Sequence, residues 1–107
     1  MTTQPAKLVC DLTAITPEQR ESHLSNGQQL FNAALERQEL AGGYAFRLPP
    51  EREMILKAAE FIALERLCCP FFSFALDLEP QGGPLWLRIT GPTEAKAILE
   101  AGLDAAL

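Results

Sequence analysis

Hydrophobic and polar residues alternate strictly in two stretches towards the C-terminal end of this chain. "FSFALDLE" (72–79) and "LWLRIT" (85–90) each place an apolar residue at every second position, and "PQGGP" joins them. Such a period is typical of a strand with one buried face. Two strands of this kind around a Gly-Gly-Pro turn predict a β-hairpin.

Two shorter alternations predict two further strands. "GYAFRL" (43–48) is apolar on the side that carries Tyr44, and "KLVCDLT" (7–13) places Cys10 on its apolar side together with two leucines. Each run has one apolar face and one mixed face, as expected for a sheet that is covered on one side.

Helical signals lie between these strands. "TPEQ" provides Thr16 as an N-cap, and the helix that follows is predicted to run to about Leu40, where "AGG" stops it. "PPEREMILKAAEFIALERLC" is the clearest helix and ends before Pro70. A last helix is predicted to start near Pro92 or Thr93.

The predicted order of elements is β-α-β-α-β-β-α, which indicates an α+β fold. We expect a four-stranded, mainly antiparallel sheet with the helices packed on one face. The chain has 107 residues, of which 48% are hydrophobic, and this is enough for a single core. We therefore predict one domain over residues 1–107.

The uncovered face of that sheet is predicted to carry Arg47, Asp77, Trp86 and Arg88. An exposed tryptophan between arginines suits a homodimer contact or the floor of a small-ligand site. The alternative interpretation is a single, partly covered aromatic residue with no such role. A non-catalytic homodimer or ligand-binding module built on Trp86, Arg47 and Arg88 is thus one predicted function.

Charge and termini limit the classes of partner. The net charge of −5 and the isoelectric point near 4.8 exclude a nucleic-acid-binding face, which would need clustered basic residues. "MTTQPAK" lacks the pattern of a signal peptide, and no apolar run is long enough to cross a membrane. We expect a cytoplasmic protein whose three cysteines are all free thiols, because adjacent cysteines rarely bridge each other.

Cys68 and Cys69 stand side by side between the second helix and the hairpin. Thiolates at such a position suit a soft ion such as Zn(II), Cu(I) or Hg(II). Two sulfurs are too few for a closed zinc site, so further ligands would come from Cys10, His23, Glu65 or a second subunit. Alternatively, the two cysteines are small apolar residues packed at a crowded corner. The absence of a C-x-x-C spacing excludes zinc-ribbon and thioredoxin-type sites.

Glu65 lies in the middle of the apolar stripe of the second helix, one turn before Cys69. A carboxylate on a buried stripe is costly unless it is paired or hydrogen-bonded. Structurally, either the helix end lifts out of the core or Glu65 forms a salt bridge with Arg47 or Arg88. Functionally, Glu65 would lie beside the thiols and either tune them or share a ligand with them.

Cys10 and His23 also have structural interpretations. Cys10 faces the core of its strand and is expected to be a buried small residue. His23, the only histidine, sits at the edge of the first helix's apolar face and is expected to be a surface or capping group. An enzyme would have to use Glu65 as general base or Cys69 as nucleophile, since no phosphate loop or Ser-His-Asp spacing is present.

The run "EFIALERLCCPFFSFALDLEP…GGPLWLRITGP" resembles a group of small bacterial proteins that share an E-R-x-C-C-P-F core, a hairpin and a T-G-P-type turn. The resemblance covers about residues 60–99 and is fainter through "LVCDLTAITPEQR". It implies no activity or cofactor. It implies only that seven residues belong to the shared pattern: Glu65, Arg66, Cys68, Cys69, Pro70, Phe71 and Gly91.

The cysteine pair and the misplaced carboxylate together predict a function. We expect a small soluble protein that binds a thiophilic metal or metalloid, or senses thiol oxidation, through Cys68 and Cys69. Glu65 and Cys10 would complete the site. The alternative is the homodimeric or ligand-binding module described above, with the cysteines as core packing.

Overall fold

The structure, a computed structural model, describes residues 8–106 and has an α+β fold, as predicted. A 3₁₀ turn at Leu12–Ala14 precedes three helices and four strands. In chain order these are α1 (Pro17–Ala33), β1 (Glu36–Leu40), β2 (Gly43–Leu48), α2 (Arg52–Cys68), β3 (Ser73–Leu78), β4 (Leu85–Thr90) and α3 (Thr93–Ala106).

The four strands form one antiparallel sheet in the order β1-β2-β4-β3. The predicted hairpin is confirmed, since β3 and β4 pair with Leu76 opposite Leu87. β4 also pairs with β2, with Leu87 opposite Phe46, so the hairpin is joined to the earlier β1-β2 hairpin through the two central strands.

The core lies between one face of this sheet and the three helices. Every second residue of β2 and β4 is buried on that face, and each helix contributes buried side chains to the same cluster. Its buried members are Leu30, Tyr44, Phe46, Leu48, Ala58, Phe61, Leu85, Leu87, Ile89, Leu99 and Leu103. The prediction of helices packed on one face is confirmed.

The opposite face of the sheet carries the predicted arginines and tryptophan. Trp86 is half-buried and lies in register between Arg47 on β2 and Asp77 on β3. Arg88 forms an ion pair with Asp77, and Arg47 approaches Glu36 to 3.2 Å. The charges on this face thus pair within the sheet, and its role as a homodimer or ligand contact stays a prediction.

The placement of the first strand differs from the prediction. Residues 8–11 carry no strand, and the sheet's first strand lies at Glu36–Leu40, inside the stretch predicted as the end of the first helix. The backbone N–H of Asp11 donates to the carbonyl of Cys68 at 2.7 Å, which ties this segment to the end of α2 instead of to a sheet edge. Lys7, the first residue of the predicted strand, lies outside the described residues.

The start of α1 is confirmed in detail. The N–H of Gln19 donates to Thr16 Oγ1 at 3.1 Å, and the N–H of Thr16 donates to Gln19 Oε1 at 2.9 Å, which is a complete capping box.

Within the described part of the chain, no helix has the length and apolarity needed to cross a membrane.

Candidate functional site

The site forms where the C-terminal end of α2 meets the segment before α1. Cys68 is the last residue of α2, and Cys69 caps the helix by donating its N–H to the carbonyl of Glu65 at 2.7 Å. The bond from Asp11 N–H to the Cys68 carbonyl lays the preceding residue, Cys10, alongside this helix end. Helix geometry and one loop contact therefore bring two cysteines and a carboxylate together.

Cys10 and Cys69 form a disulfide across a sequence separation of 59. Their Cα atoms are 4.5 Å apart, within the usual range for such a bond. The prediction that all three thiols are free is therefore wrong. The sequence argument concerned the adjacent pair, which indeed does not bridge, and it did not consider that the chain before α1 returns to the end of α2.

Cys68 is separate from this pair. Its side chain is 1% exposed and packs with Ile15, Leu64 and Cys69 in a small second apolar cluster. Burial raises the pKa of its thiol, and the charges of Glu65 and Asp11 raise it further. The interpretation as packing holds for Cys68, and the prediction of a joint site made by Cys68 and Cys69 is wrong.

Glu65 is paired, but not with an arginine. Its Oε2 lies 2.5 Å from Nε2 of His23, and its side chain is 18% exposed. The prediction of a salt bridge from Glu65 to Arg47 or Arg88 is wrong, because both arginines lie on the other face of the sheet. A hydrogen bond from Nε2–H to the carboxylate offsets the cost of placing Glu65 on the apolar stripe of α2.

His23 is buried, so the expectation of a surface or capping histidine is wrong. Its ring stacks on Phe61 with centroids 5.0 Å apart and an interplanar angle of 20°. Gly27 lies one turn after His23 on α1. A Cβ at this position would come within 3.1 Å of the Phe61 ring. Among the described residues, Nδ1 of His23 has no hydrogen-bond partner although it is buried.

Three donor groups converge at this place. The sulfurs of Cys10 and Cys69 and a carboxylate oxygen of Glu65 all lie within 4.8 Å of one another. Such a group could hold a metal ion once the disulfide is reduced, because thiolates and not disulfide sulfurs are metal ligands. Cys10 and Glu65, two of the predicted site residues, are thus brought to Cys69, whereas Cys68 is not in this group.

A cavity of about 500 Å³ opens directly from these residues. It lies between the helices and the sheet, and most of its wall is apolar or aromatic. Besides the cysteines, Glu65 and His23, its wall is formed by Leu12, Leu24, Gly27, Gln28, Phe31, Phe61, Phe72, Ile89, Ile98, Leu99 and Gly102. The polar groups of the cluster therefore face a largely apolar space.

Neither the burial of His23 nor the cavity was predicted from the sequence, although His23 was considered as a further ligand. The signal for its burial was its spacing from Gly27 and Leu30, since these three residues form the buried stripe of α1. Leu24, next to His23, is 61% exposed. A histidine on the buried stripe, facing the helix that carries Glu65, would have indicated the pair.

Comparisons with known proteins identify no relative. No protein-family model, curated protein or solved structure matches this chain. The function is therefore inferred from the geometry and donor atoms of the site.

Proposed function

We propose that the reduced protein binds a thiophilic metal or metalloid ion through Cys10, Cys69 and Glu65. The observation that supports this proposal is the convergence of two sulfurs and a carboxylate oxygen within 4.8 Å of one another. Thiolates prefer soft ions, so Cu(I), Zn(II), Hg(II) and trivalent arsenic are the chemical candidates.

The site takes up its ion only after reduction of the Cys10–Cys69 disulfide. Two molecules of a low-molecular-weight thiol supply the electrons and protons, which gives two cysteine thiols and one external disulfide. The thiols lose their protons when they bind the ion. Three protein donors leave at least one coordination position of a four-coordinate ion open.

His23 supports the site by orienting Glu65. Its Nε2–H holds one carboxylate oxygen at 2.5 Å, which fixes the side chain at the end of α2. Hydrogen bonds to a ligating carboxylate commonly tune metal affinity in this way. The burial of His23, at 3% exposure, keeps its ring in place.

Competition titration of the reduced protein with Hg(II) and Zn(II) tests the proposal. Cys10→Ser and Cys69→Ser are each expected to lower affinity by about 10- to 100-fold or more, because each removes one sulfur ligand. Cys68→Ala is the matched control and is expected to keep the wild-type affinity, since Cys68 is outside the donor group. Full affinity in Cys10→Ser, in a protein with unchanged circular dichroism, would show that the proposal is wrong.

Thiol redox sensing is a second candidate, which the Cys10–Cys69 disulfide itself favours. The cytoplasmic location stays a prediction, and in that compartment disulfides are usually transient and regulatory. Equilibration in glutathione buffers, followed by alkylation and mass measurement, is expected to give a reversible transition within the cytosolic range. A bond that stays fully oxidised in every cytosol-like buffer would instead identify a structural disulfide.

A further inference from the structure

The cavity beside the donor group is too large and too apolar for a bare ion alone. Its volume is about 500 Å³, whereas a dry apolar cavity of roughly 150 Å³ already holds a benzene molecule. The donors Cys10, Glu65 and Cys69 occupy only one part of the wall. The rest offers little that could hydrogen-bond water, so an apolar group would fill it with a gain in free energy.

Gly102 lies at the exposed rim of this cavity, in the interior of α3. Glycine is among the poorest helix formers, and a Cβ at this position would meet nothing within 4 Å, so no packing contact requires glycine here. Because Gly102 lines the cavity, we expect a much larger side chain there to occupy part of the space next to the donors.

The wall of the cavity is suited to a flat ring. His23 stacks on Phe61, and Phe31 meets Phe61 edge-on at 88°. Aromatic side chains in such arrangements make favourable offset or edge contacts with a further ring.

The number of sulfurs narrows the class of ligand. Inorganic trivalent arsenic has three valences for thiolates, and the described donor group supplies two sulfurs. A trivalent arsenic that carries one organic group has two valences left, and its organic group needs an apolar space next to the sulfurs. Deepening the function proposed above, on which it rests, we propose that the ligand is a monoorganic trivalent arsenical whose aromatic group occupies this cavity.

The binding step balances without any further reactant once the disulfide is reduced. One phenylarsine oxide reacts with the thiols of Cys10 and Cys69 to form two As–S bonds. The two thiol protons leave with the arsenical oxygen as one water molecule, and the oxidation state of arsenic does not change. Glu65 lies beside both sulfurs and is placed to accept these protons in turn.

The test compares two arsenicals that differ only in the organic group. Reduced protein is titrated with phenyl- and methylarsonous acids, with calorimetry and mass measurement as readouts. The wild type is expected to prefer the phenyl compound by at least about ten-fold, because its ring buries more apolar area. Gly102→Leu is expected to remove this preference and to leave methyl binding unchanged.

Two further variants make the comparison specific. Leu24→Asp replaces an apolar residue at the exposed rim of the cavity with a charged one and is expected to weaken phenyl binding as Gly102→Leu does. Leu56→Asp makes the same change on the exposed surface of α2, outside the cavity, and is expected to change neither affinity. Thermal unfolding of each variant verifies that the fold is kept.

The outcomes separate this inference from the function on which it rests. Equal affinity for the two arsenicals, or a phenyl preference that survives both cavity variants, would overturn the inference. If both compounds still require Cys10 and Cys69, the metalloid-binding function stands. If neither compound binds in a manner that depends on these cysteines, the metalloid function fails and this inference fails with it.

Discussion

Two adjacent, buried cysteines have different bonding partners because the helix ends between them. Cys68 keeps the helical conformation and points into the cluster around Ile15 and Leu64, where it is 1% exposed. Cys69 leaves the helix with φ −127° and ψ 73°, and its sulfur reaches Cys10. One change of backbone conformation therefore separates a buried free thiol from a buried disulfide-bonded sulfur.

The number of thiols that react with a labelling reagent tests the burial of Cys68. We expect the native, non-reduced protein to react negligibly with iodoacetamide or Ellman's reagent, since the single free thiol is buried and its pKa is raised. Unfolding without reduction should expose one thiol for each chain, and unfolding with reduction should expose three. Rapid labelling of the native protein would contradict the burial of Cys68.

Tyr44 gives a prediction about alkaline pH. Its hydroxyl donates to Glu100 Oε1 at 2.8 Å, and this hydrogen bond, followed by burial, raises the pKa of Tyr44 to about 12. Because the folded-state pKa is raised, the contribution to stability is complete below pH 10 and is lost as the pH rises through about 12.

Absorbance at the phenolate band follows this titration directly, since Tyr44 is the only tyrosine. Glu100→Gln removes the negative charge and is expected to bring the midpoint closer to 10.0, the ordinary pKa of a tyrosine hydroxyl. An unshifted midpoint in the wild type would contradict the hydrogen bond to Glu100.

At the scale of single residues, Glu65 and Cys69 could be identified from the sequence as site residues, whereas the residues that pair with them could not. Glu65 could be found because a carboxylate on an apolar stripe is costly in any fold. The partners of Glu65 and Cys69 could not be found, because His23 and Cys10 are distant in sequence and only tertiary packing brings them to the end of α2. The adjacency of Cys68 and Cys69 drew attention away from the pair that bonds.

Among the elements, β1 shows why an edge strand escapes pattern analysis. "ERQEL" (36–40) has no alternation of apolar residues, and all but its last residue are exposed. The strand forms because each of its residues pairs with a residue of β2. The fold class could still be predicted, because β2 and β4 are buried at every second position of one face and β3 has half-buried Phe74 and Leu76 on the same face.

Two glycines in different elements are expected to respond oppositely to the same change. At Gly43, on β2, an added Cβ would overlap the carbonyl oxygen of Ile89 on the neighbouring strand β4. At Gly102, on α3, the same methyl group meets nothing within 4 Å. Close approach of two strands explains the first glycine, and the open cavity accompanies the second.

Urea denaturation of both alanine variants tests this contrast. Gly43→Ala is expected to lower the free energy of unfolding by about 3 kcal/mol, because the strands must move apart. Gly102→Ala is expected to raise it by about 0.5–1 kcal/mol, because alanine is the better helix former. A loss of stability in Gly102→Ala would show that the position is packed and not open.

For the whole molecule, the Cys10–Cys69 bond joins the segment before α1 to the chain between α2 and β3. The closed loop contains α1, β1, β2 and α2, while β3, β4 and α3 lie outside it. β4 nevertheless pairs with β2, so the sheet connects the part inside the loop to the part outside. The bond therefore constrains the unfolded chain more than it shapes the sheet.

Reduction is expected to lower the free energy of unfolding by roughly 2–4 kcal/mol, since a loop closed over 59 positions restricts the unfolded state strongly. Urea unfolding with and without a reductant measures this difference, and Cys10→Ala with Cys69→Ala provides the reductant-independent control. Equal midpoints in both conditions would mean that the bond does not contribute to stability.

The same loop has a mechanical consequence. When the oxidised chain is pulled from its two ends, the covalent path of the force runs from Cys10 to Cys69 through the sulfur atoms and bypasses the backbone between them. The fully stretched oxidised protein should therefore be about 200 Å shorter than the reduced one, at roughly 3.4 Å for each residue of the loop. In oxidised protein, β2 bears no end-to-end load along its own backbone, so force enters the centre of the sheet only through its bonds to β4.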